Sequence, residues 1–397
     1  MFSWFRQLFA LASFNIRTLP ARAGSAVAAI VGIGGVVAVL VGVLSIGEGF
    51  RRVMVVQGKP DTVLVLRGGA DSEMASVIVG PDVGVIESTP GIAKGADGKP
   101  LAAAELSVIL DLPKRTTRTP ANVPMRGIQP RSLTIRPEVK VVEGRMFQWG
   151  TNEVIVGRGA QLSFAGTELG SEVHSGQNTW KVVGIFESNG GISESELWAD
   201  ASVLAPAYRR GNSFQTVMVK LASAGGFNKF RDALTTDPRI SVRVLREEEY
   251  YAGQSKVIRA LVTGLAVVVC SLMGLAAIFG ALNTMYTAVA ARARETATLE
   301  ALGFSGSAVV ISVITEAMLL ALIGGALGGL GAYLAFDGYR AATMNFATFS
   351  QVAFAFDVTP RLMIMAIVYA VFIGLIGGLF PAIRAARQSV SVALRET

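Results

Sequence analysis

The chain has 397 residues, 51% of them hydrophobic and only 16% charged, a balance that excludes an ordinary soluble enzyme of this length and points to a membrane protein. The formal charge is +7, yet residues 48–256 hold 25 basic and 23 acidic side chains, against 11 and 6 in the remainder. The excess therefore belongs to the membrane-associated segments, and a nucleic-acid partner is not expected.

Residues 1–22 repeat Phe2, Phe5, Phe9, Ala12 and Ile16 at helical spacing beside Trp4, with Arg6 and Arg17 placed to reach headgroups. This predicts a helix lying along the inner membrane surface, with a disordered basic leader as the alternative. Residues 23–47 follow as 25 uncharged residues, long enough to cross a bilayer. That length, and the lack of a small-residue cleavage site before Glu48, favour an anchor over a signal peptide.

Residues 48–256 read as an α/β domain. Asp61–Arg67 is a predicted strand closed by Gly68 and Gly69, and Pro81–Ser88 a short helix stopped before Thr89, Pro90 and Gly91. Glu153–Val156, Trp180–Phe186 and Thr216–Leu221 read as further strands, and Gly225–Leu234 as a helix. The stretch Pro100–Pro137, basic and broken by Pro113, Pro120, Pro124 and Pro130, is expected to be a loop-rich lobe. Its Lys114, Arg115 and Arg118 would be solvated, or would meet an acidic partner. The single histidine, His174, reads as a surface residue, excludes an HExxH zinc site and leaves one candidate base.

From Ala260 to Ala291 run 32 uncharged residues, about 48 Å of helix against a hydrocarbon core of about 30 Å. Residues 257–290 are therefore assigned to a stalk and second span, whose helix begins outside the membrane in the polar Glu247–Gln254. Cys270, the only cysteine, lies in this run, so no intrachain disulfide forms. Residues 291–305 then form a short amphipathic helix ended by Gly303, with Ser305 or Ser307 capping the next. Residues 306–336 are the third span, 337–361 a short outer loop, 362–381 the fourth span and 382–397 a tail. Glu316 interrupts the third span, and an ionisable group there needs a partner or water. Gly324 with Gly328 and Gly325 with Gly329 are overlapping GxxxG pairs suited to packing within one subunit or across a dimer. Short segments carrying Arg6, Arg17, Arg22, Arg292, Arg294, Arg384, Arg387 and Arg395 place both termini and the 291–305 helix in the cytoplasm. No Walker A loop, GxSxG or SxxK occurs.

The loop ARARETATLEALGFSGS, with Arg294, Glu295, Leu299, Ala301, Leu302, Gly303, Phe304 and Ser305, is similar to the RE-x3-L-x-ALG-[FA]-S signature of MacB-like and FtsX-like permeases. These are the type VII ABC transporters, which include the lipoprotein-releasing permeases. In the ectodomain, Glu143, Gly144, Arg145 and Phe147, then Glu153–Gly157, Gly170, Val182–Phe186, and Glu196 with Trp198 resemble the EGRxF, EVxVG, LG, VVGxF and ExW pattern of that family's periplasmic core. The tail from Pro381 to Arg395 is similar to its PAxRAAR-x5-ALR ending. Departures are Glu300 where Arg is frequent, Gly306 and Ser307 in place of a basic pair, and Val390 in place of proline.

The resemblance implies a non-catalytic permease subunit that transmits ATP-driven motion to its extracytoplasmic domain, to export or extract a substrate from the outer side of the inner membrane. Arg292, Arg294, Glu295, Leu299, Leu302, Gly303 and Phe304 would contact the ATPase. It implies a separate ABC ATPase chain, which binds the ATP and Mg while this chain holds no cofactor or metal. It also implies a second permease copy or paralogue and a lipid environment, and leaves a periplasmic adaptor and an outer-membrane channel open. The alternative is a membrane-anchored sensor or scaffold, such as an FtsX-like regulator of a cell-wall hydrolase.

Overall fold

The computed structural model describes residues 23–56, 58–175, 178–301, 305–346 and 348–387. The expected interfacial helix before residue 23 and the tail beyond Arg387 lie outside the described residues. The chain divides into two units, one of residues 49–260 and 340–355, the other of the spans.

Among the described residues chain order begins with helix α1 (Ala23–Val55), which continues past Gly47. In the first unit it is followed by β1 (Thr62–Arg67), a 3-10 turn at Glu73–Ala75, β2 (Ile78–Val79), α2 (Gly80–Ser88), β3 (Ala102–Pro113), β4 (Pro120–Ile128) and α3 (Pro130–Ile135). Next come β5 (Lys140–Gly144), β6 (Glu153–Gly157), α4 (Arg158–Ser163), β7 (Glu172–Ser175), β8 (Asn178–Glu187), β9 (Leu197–Asp200) and α5 (Ala201–Ala207). The unit continues with β10 (Ser213–Phe214), β11 (Thr216–Lys220), α6 (Phe227–Thr235) and β12 (Val242–Arg246). The remaining elements are α7 (Glu247–Ala291), α8 (Ala293–Ala301), α9 (Gly306–Phe336), β13 (Arg340–Asn345), β14 (Ser350–Ala355) and α10 (Pro360–Ala386).

One mixed sheet carries the ectodomain, in the order β12-β1-β11-β3-β4-β9-β6-β8-β5, with β7 also on β8. Only β4–β9 and β6–β8 are parallel. One core gathers Val63, Val65, Val217 and Val219 under Ile86, Phe227 and Phe230. A second gathers Leu106, Met125, Val156, Trp180 and Leu204. Along β8 buried and exposed positions alternate only from Thr179 to Val182, with Trp180 and Val182 inward and Lys181 outward, and Val182–Phe186 are buried without a break because a further core of Ile128, Phe147, Ile155 and Trp198 covers Val183 and Phe186.

The stretch Pro100–Pro137 corrects the expectation of a loop-rich lobe. It holds the two longest-paired strands of the sheet, β3 and β4, in register from Leu106↔Gly127 to Pro113↔Pro120. Its prolines sit where a missing N–H costs little. Pro113 and Pro120 close the ladder opposite each other, and Pro124 lies just before the β4–β9 pairing, which covers only Met125–Ile128. Arg115 is not free for a partner: it pairs with Glu168 at 2.7 Å and donates to the Gln161 carbonyl at 2.8 Å.

The segment expected as a short outer loop is also more than that. β13 and β14 pair from Arg340↔Ala355 to Asn345↔Ser350 and belong to the ectodomain unit. Val352 and Phe354 are buried there, and the Phe354 ring meets Phe50 edge-on at 5.8 Å between centroids. Alternating apolar side chains in β14 supply that face.

Among the described residues four helices are long and apolar enough to cross a membrane: α1, α7, α9 and α10. Within their unit, Val37, Val41, Cys270, Ala321, Ala366, Ala370 and Ile373 form a buried core built largely of small and β-branched residues. Such residues let helix backbones approach closely in lipid, where no hydrophobic force separates helix from solvent.

Candidate functional site: the signature segment and a buried arginine hub

The signature segment falls on α8 and on the residues that follow it, and Arg292 lies just before the helix. Arg292 pairs with Glu316 of α9, Nη1 to Oε2, at 3.3 Å, and both side chains are largely buried. A guanidinium beside the intramembrane carboxylate supplies the partner that Glu316 requires. Arg294 is exposed, and its carbonyl accepts the Thr298 hydroxyl at 2.8 Å. Glu295 and Leu299 lie on α8, but their side chains are outside the described residues, as are Leu302, Gly303 and Phe304 entirely.

The overlapping glycine pairs divide between two neighbours in the same chain. A Cβ on Gly324 would meet the Ile30 carbonyl of α1 at 2.8 Å, and one on Gly328 would collide with the Gly34 carbonyl. A Cβ on Gly325 would lie 2.7 Å from the Ala370 Cβ of α10, and one on Gly329 would lie 2.9 Å from the Met363 Cε. The i, i+4 spacing puts each pair on one face, so one stripe seats α1 and the adjacent stripe seats α10.

A second site escaped the sequence reading. Arg126, on β4 and 4% exposed, is gripped by three buried glutamates. Its Nε and Nη2 make a fork to Glu196 at 2.7 and 2.8 Å. Nη1 and Nη2 reach the two oxygens of Glu73 at 2.9 and 3.0 Å, and Nη1 also reaches Glu105 at 3.1 Å. Arg136 completes the cluster with two bonds to Glu105 at 2.5 and 2.9 Å. The Trp198 indole N–H donates to Glu196 at 2.8 Å, and Arg136 lies 5.4 Å over the Trp198 ring. Burial alone would push the Glu105 carboxyl up, but Arg136 and Arg126 hold it down at about 2. Ionic groups survive such burial only when forks and hydrogen bonds satisfy them from several sides.

The base of α7 is fastened to this hub. The Glu73 N–H donates to the Tyr250 hydroxyl at 3.0 Å, and Tyr250 and Tyr251 are both nearly inaccessible. Burial raises both phenols well above the ordinary tyrosine range. Glu247, first residue of α7 and within the ectodomain unit, is 2% exposed. Its Oε2 accepts the Lys59 N–H at 3.4 Å, while Oε1 has no partner among the described residues. Burial pushes its carboxyl up to about 7 against the pull of Arg136. The visible sign of the hub was Glu105 and Arg126 standing among apolar neighbours in their strands, Ala102–Ala104 and Leu106 in one and Met125 and Ile128 in the other, since charged residues are almost never fully buried unless paired.

The motif residues of the ectodomain hold a neighbouring corner. Glu143 bonds Arg158 at 2.7 Å, and Arg145 makes a fork to Glu153 at 2.7 and 2.5 Å. Gly144 turns between them at φ 73°, where a side chain would be strained and a Cβ would strike the Val183 carbonyl. His174 is exposed and bonded to Thr179, and no cluster of three metal-ligating side chains exists among the described residues.

The MacB-like periplasmic core domain family matches residues 26–237, more than half of the chain, and the FtsX-like permease C-terminal family matches residues 266–390. The chain belongs to the MacB/FtsX-like ABC transporter permeases. As a member of that family with four apolar helices, this permease is a multi-pass inner-membrane protein with an extracytoplasmic α/β domain. Its structure is similar to the extracellular domain of the noncanonic ABC-type transporter YknZ from Gram-positive bacteria, at 16% identity and a TM-score of 0.34, covering 46% of this chain and 99% of that one. It is also similar to the periplasmic region of MacB from Actinobacillus actinomycetemcomitans, at 13% identity and a TM-score of 0.37, covering 51% and 96%. A domain of a putative permease from Porphyromonas gingivalis matches at 10% identity and a TM-score of 0.31, covering 47% and 89%. No curated protein sequence matches this permease.

Proposed function

We propose that this permease converts ATP hydrolysis in a separate ATPase subunit into movement of its extracytoplasmic domain, and so exports or extracts a substrate on the outer side of the inner membrane. The observation that carries this reading is α7, one unbroken helix of 45 residues from Glu247 to Ala291. At about 1.5 Å per residue it is roughly 68 Å long, more than twice the hydrocarbon core. Its first turns are locked to the arginine hub and its last precede α8. A continuous hydrogen-bonded helix is stiff along its axis, so displacement at the cytoplasmic end is delivered to the hub rather than absorbed.

In this reading both termini and α8 are cytoplasmic, and the ATPase receives α8 through Arg292, Arg294, Glu295, Leu299, Leu302, Gly303 and Phe304. ATP and Mg are held by that partner. The permease works as a pair, with itself or with a paralogue. Purification from native membranes in mild detergent should recover a Walker-motif ATPase. Leu299→Asp or Glu295→Lys should lower both its recovery and its permease-dependent ATPase rate, with membrane insertion unchanged. Unaltered coupling in both variants would overturn the role of α8. A murein hydrolase recovered in place of any ATPase would favour the scaffold reading.

A further inference from the structure

The two ends of the ectodomain sheet are finished differently. At one end β5 breaks its register with β8 between Val141 and Glu143, a bulge of the kind that blunts an edge. At the other, β12 pairs with β1 without a break from Val63↔Arg246 to Arg67↔Val242 and has no strand on its far side among the described residues. The Gly68 N–H donates to the Ser241 carbonyl at 2.8 Å, which sets the phase of this ladder. Bonded and unbonded pairs alternate between antiparallel strands, so Arg243 and Leu245 bond to β1 while Val242 and Val244 turn their N–H and C=O groups outward. Among the described residues nothing bonds those outward groups.

That open edge forms one wall of a groove of about 670 Å³, and Phe227, Asn228, Arg231 and Thr235 of α6 form the other. The volume is in the range of ligand sites. Val244 is buried in the same core as Phe227, so the wall carrying the free backbone groups is anchored. Two guanidiniums stand over the Phe227 ring, Arg246 at 4.5 Å and Arg231 at 5.7 Å from its centroid. Arg246 is held by uncharged acceptors, the Pro60 carbonyl at 2.7 Å and the Ala224 carbonyl at 3.2 Å, and its ion pair with Glu249 spans 3.9 Å. Arg231 bonds its exposed neighbour Asp232 at 2.9 Å, a pair that water screens. With Arg243, which bonds Asp71, the groove is lined by three arginines against one acid, Glu249.

We propose that this groove is a docking site for an extended acidic segment of a partner protein, which adds to β12 as a further strand and sets its carboxylates against Arg246 and Arg231. Strand addition draws affinity from main-chain bonds and specificity from alternate side chains. Side chains opposite Val242 and Val244 fall on the α6 face, where both guanidiniums stand. The same charges disfavour a second copy of β12 as the occupant, because it would bring arginine against arginine, and like charges facing each other destabilise a ladder. The site needs no ATPase, so it stands or falls apart from the proposed mechanotransmission.

The test uses the full chain in detergent and a fluorescent peptide of alternating Glu and Thr, read by polarisation, with a peptide of alternating Lys and Thr as control. The Glu peptide should bind and the Lys peptide should not, and raising salt from about 0.05 M to about 0.5 M should weaken binding several-fold. Arg246→Gln should weaken it about tenfold, the scale of one charge-assisted hydrogen bond, and Arg231→Gln serves if the first variant fails to fold. Backbone N-methylation of the peptide tests strand addition without touching the protein. Methylating every Glu nitrogen should abolish binding of an antiparallel strand, and methylating every Thr nitrogen that of a parallel one, so one pattern should abolish binding and the other spare it. A Glu peptide that does not bind, a Lys peptide that binds as well, two methylation patterns with equal effect, or unchanged binding by a folded arginine variant overturns the inference.

Discussion

Glu247 makes the joint between stalk and ectodomain sensitive to pH, and Glu247→Gln isolates the effect. The group lies in the ectodomain unit and is 2% exposed. Burial raises its carboxyl from about 4.5 to about 7. The folded state therefore binds this proton more tightly than the unfolded chain, so the group's favourable contribution is complete below about pH 4.5 and is lost as pH rises through about 7. A displacement of about 2.5 pH units at about 1.4 kcal/mol each makes the wild-type penalty about 3 kcal/mol at pH 8 relative to pH 4.5. Glutamine has the shape of the protonated acid and carries no such penalty. For a domain of about 200 residues, about 3 kcal/mol corresponds to roughly 6–12 °C in melting temperature. Thermal melts in detergent, followed by tryptophan fluorescence from Trp180 and Trp198, both fully buried in the ectodomain, measure this directly. Glu247→Gln should melt well above wild type at pH 8, and the gap should shrink steadily toward pH 5. A gap that does not change with pH would refute the reasoning, because it would mean that Glu247 titrates alike in the folded and unfolded chain.

Arg126→Met should lower ectodomain stability by about 3–5 kcal/mol, since it strands three buried glutamates against Arg136 alone; urea unfolding followed by tryptophan emission checks it, and a loss under about 1 kcal/mol would remove the hub from the stability account. Gly328→Leu should force α9 away from the Gly34 backbone and cost about 1–3 kcal/mol through overpacking, read as a lower detergent melting temperature, whereas the same change at Gly331, where a Cβ meets nothing, should be nearly neutral. Glu316→Gln retains a hydrogen-bonding group opposite Arg292 and should leave the permease-dependent ATPase rate within about twofold; a large loss there would instead favour a role for the ionised acid.

The spans were legible because lipid permits few alternatives: long uncharged runs had to be helices, and the excess length of the second one announced its extension toward Glu247. The strand at Thr62–Arg67 and those within 153–187 were equally plain, because β-branched residues lie between glycine turns. Proline misled between Pro100 and Pro137, since sequence does not show which side of a strand lacks a neighbour, and that alone decides whether a missing N–H matters. The GxxxG pairs announced close packing, but the two partners, α1 and α10, depend on tertiary arrangement. The hub was hidden for the same reason. Glu73, Glu105, Arg126, Arg136 and Glu196 follow no common period, and only the pairing of β3 with β4 together with the turn at Glu73, the end of α3 and the approach to β9 brings them together.

Sheet order also dictates when the ectodomain can be completed. β1 pairs only with β11 and β12, in registers such as Val65↔Val217 and Val63↔Arg246, so the first strand to emerge outside the membrane has no partner until about 150 further residues have followed. At roughly 5–20 residues per second of synthesis, that delay is about 8–30 s. Throughout it, Val63, Leu64, Val65 and Leu66, all fully buried in the finished fold, remain an apolar segment with open edges, tethered beside the bilayer by an α1 already inserted. Biogenesis of this permease therefore calls for shielding of that one strand, by an extracytoplasmic chaperone or by the membrane surface itself, before the domain has any stability of its own.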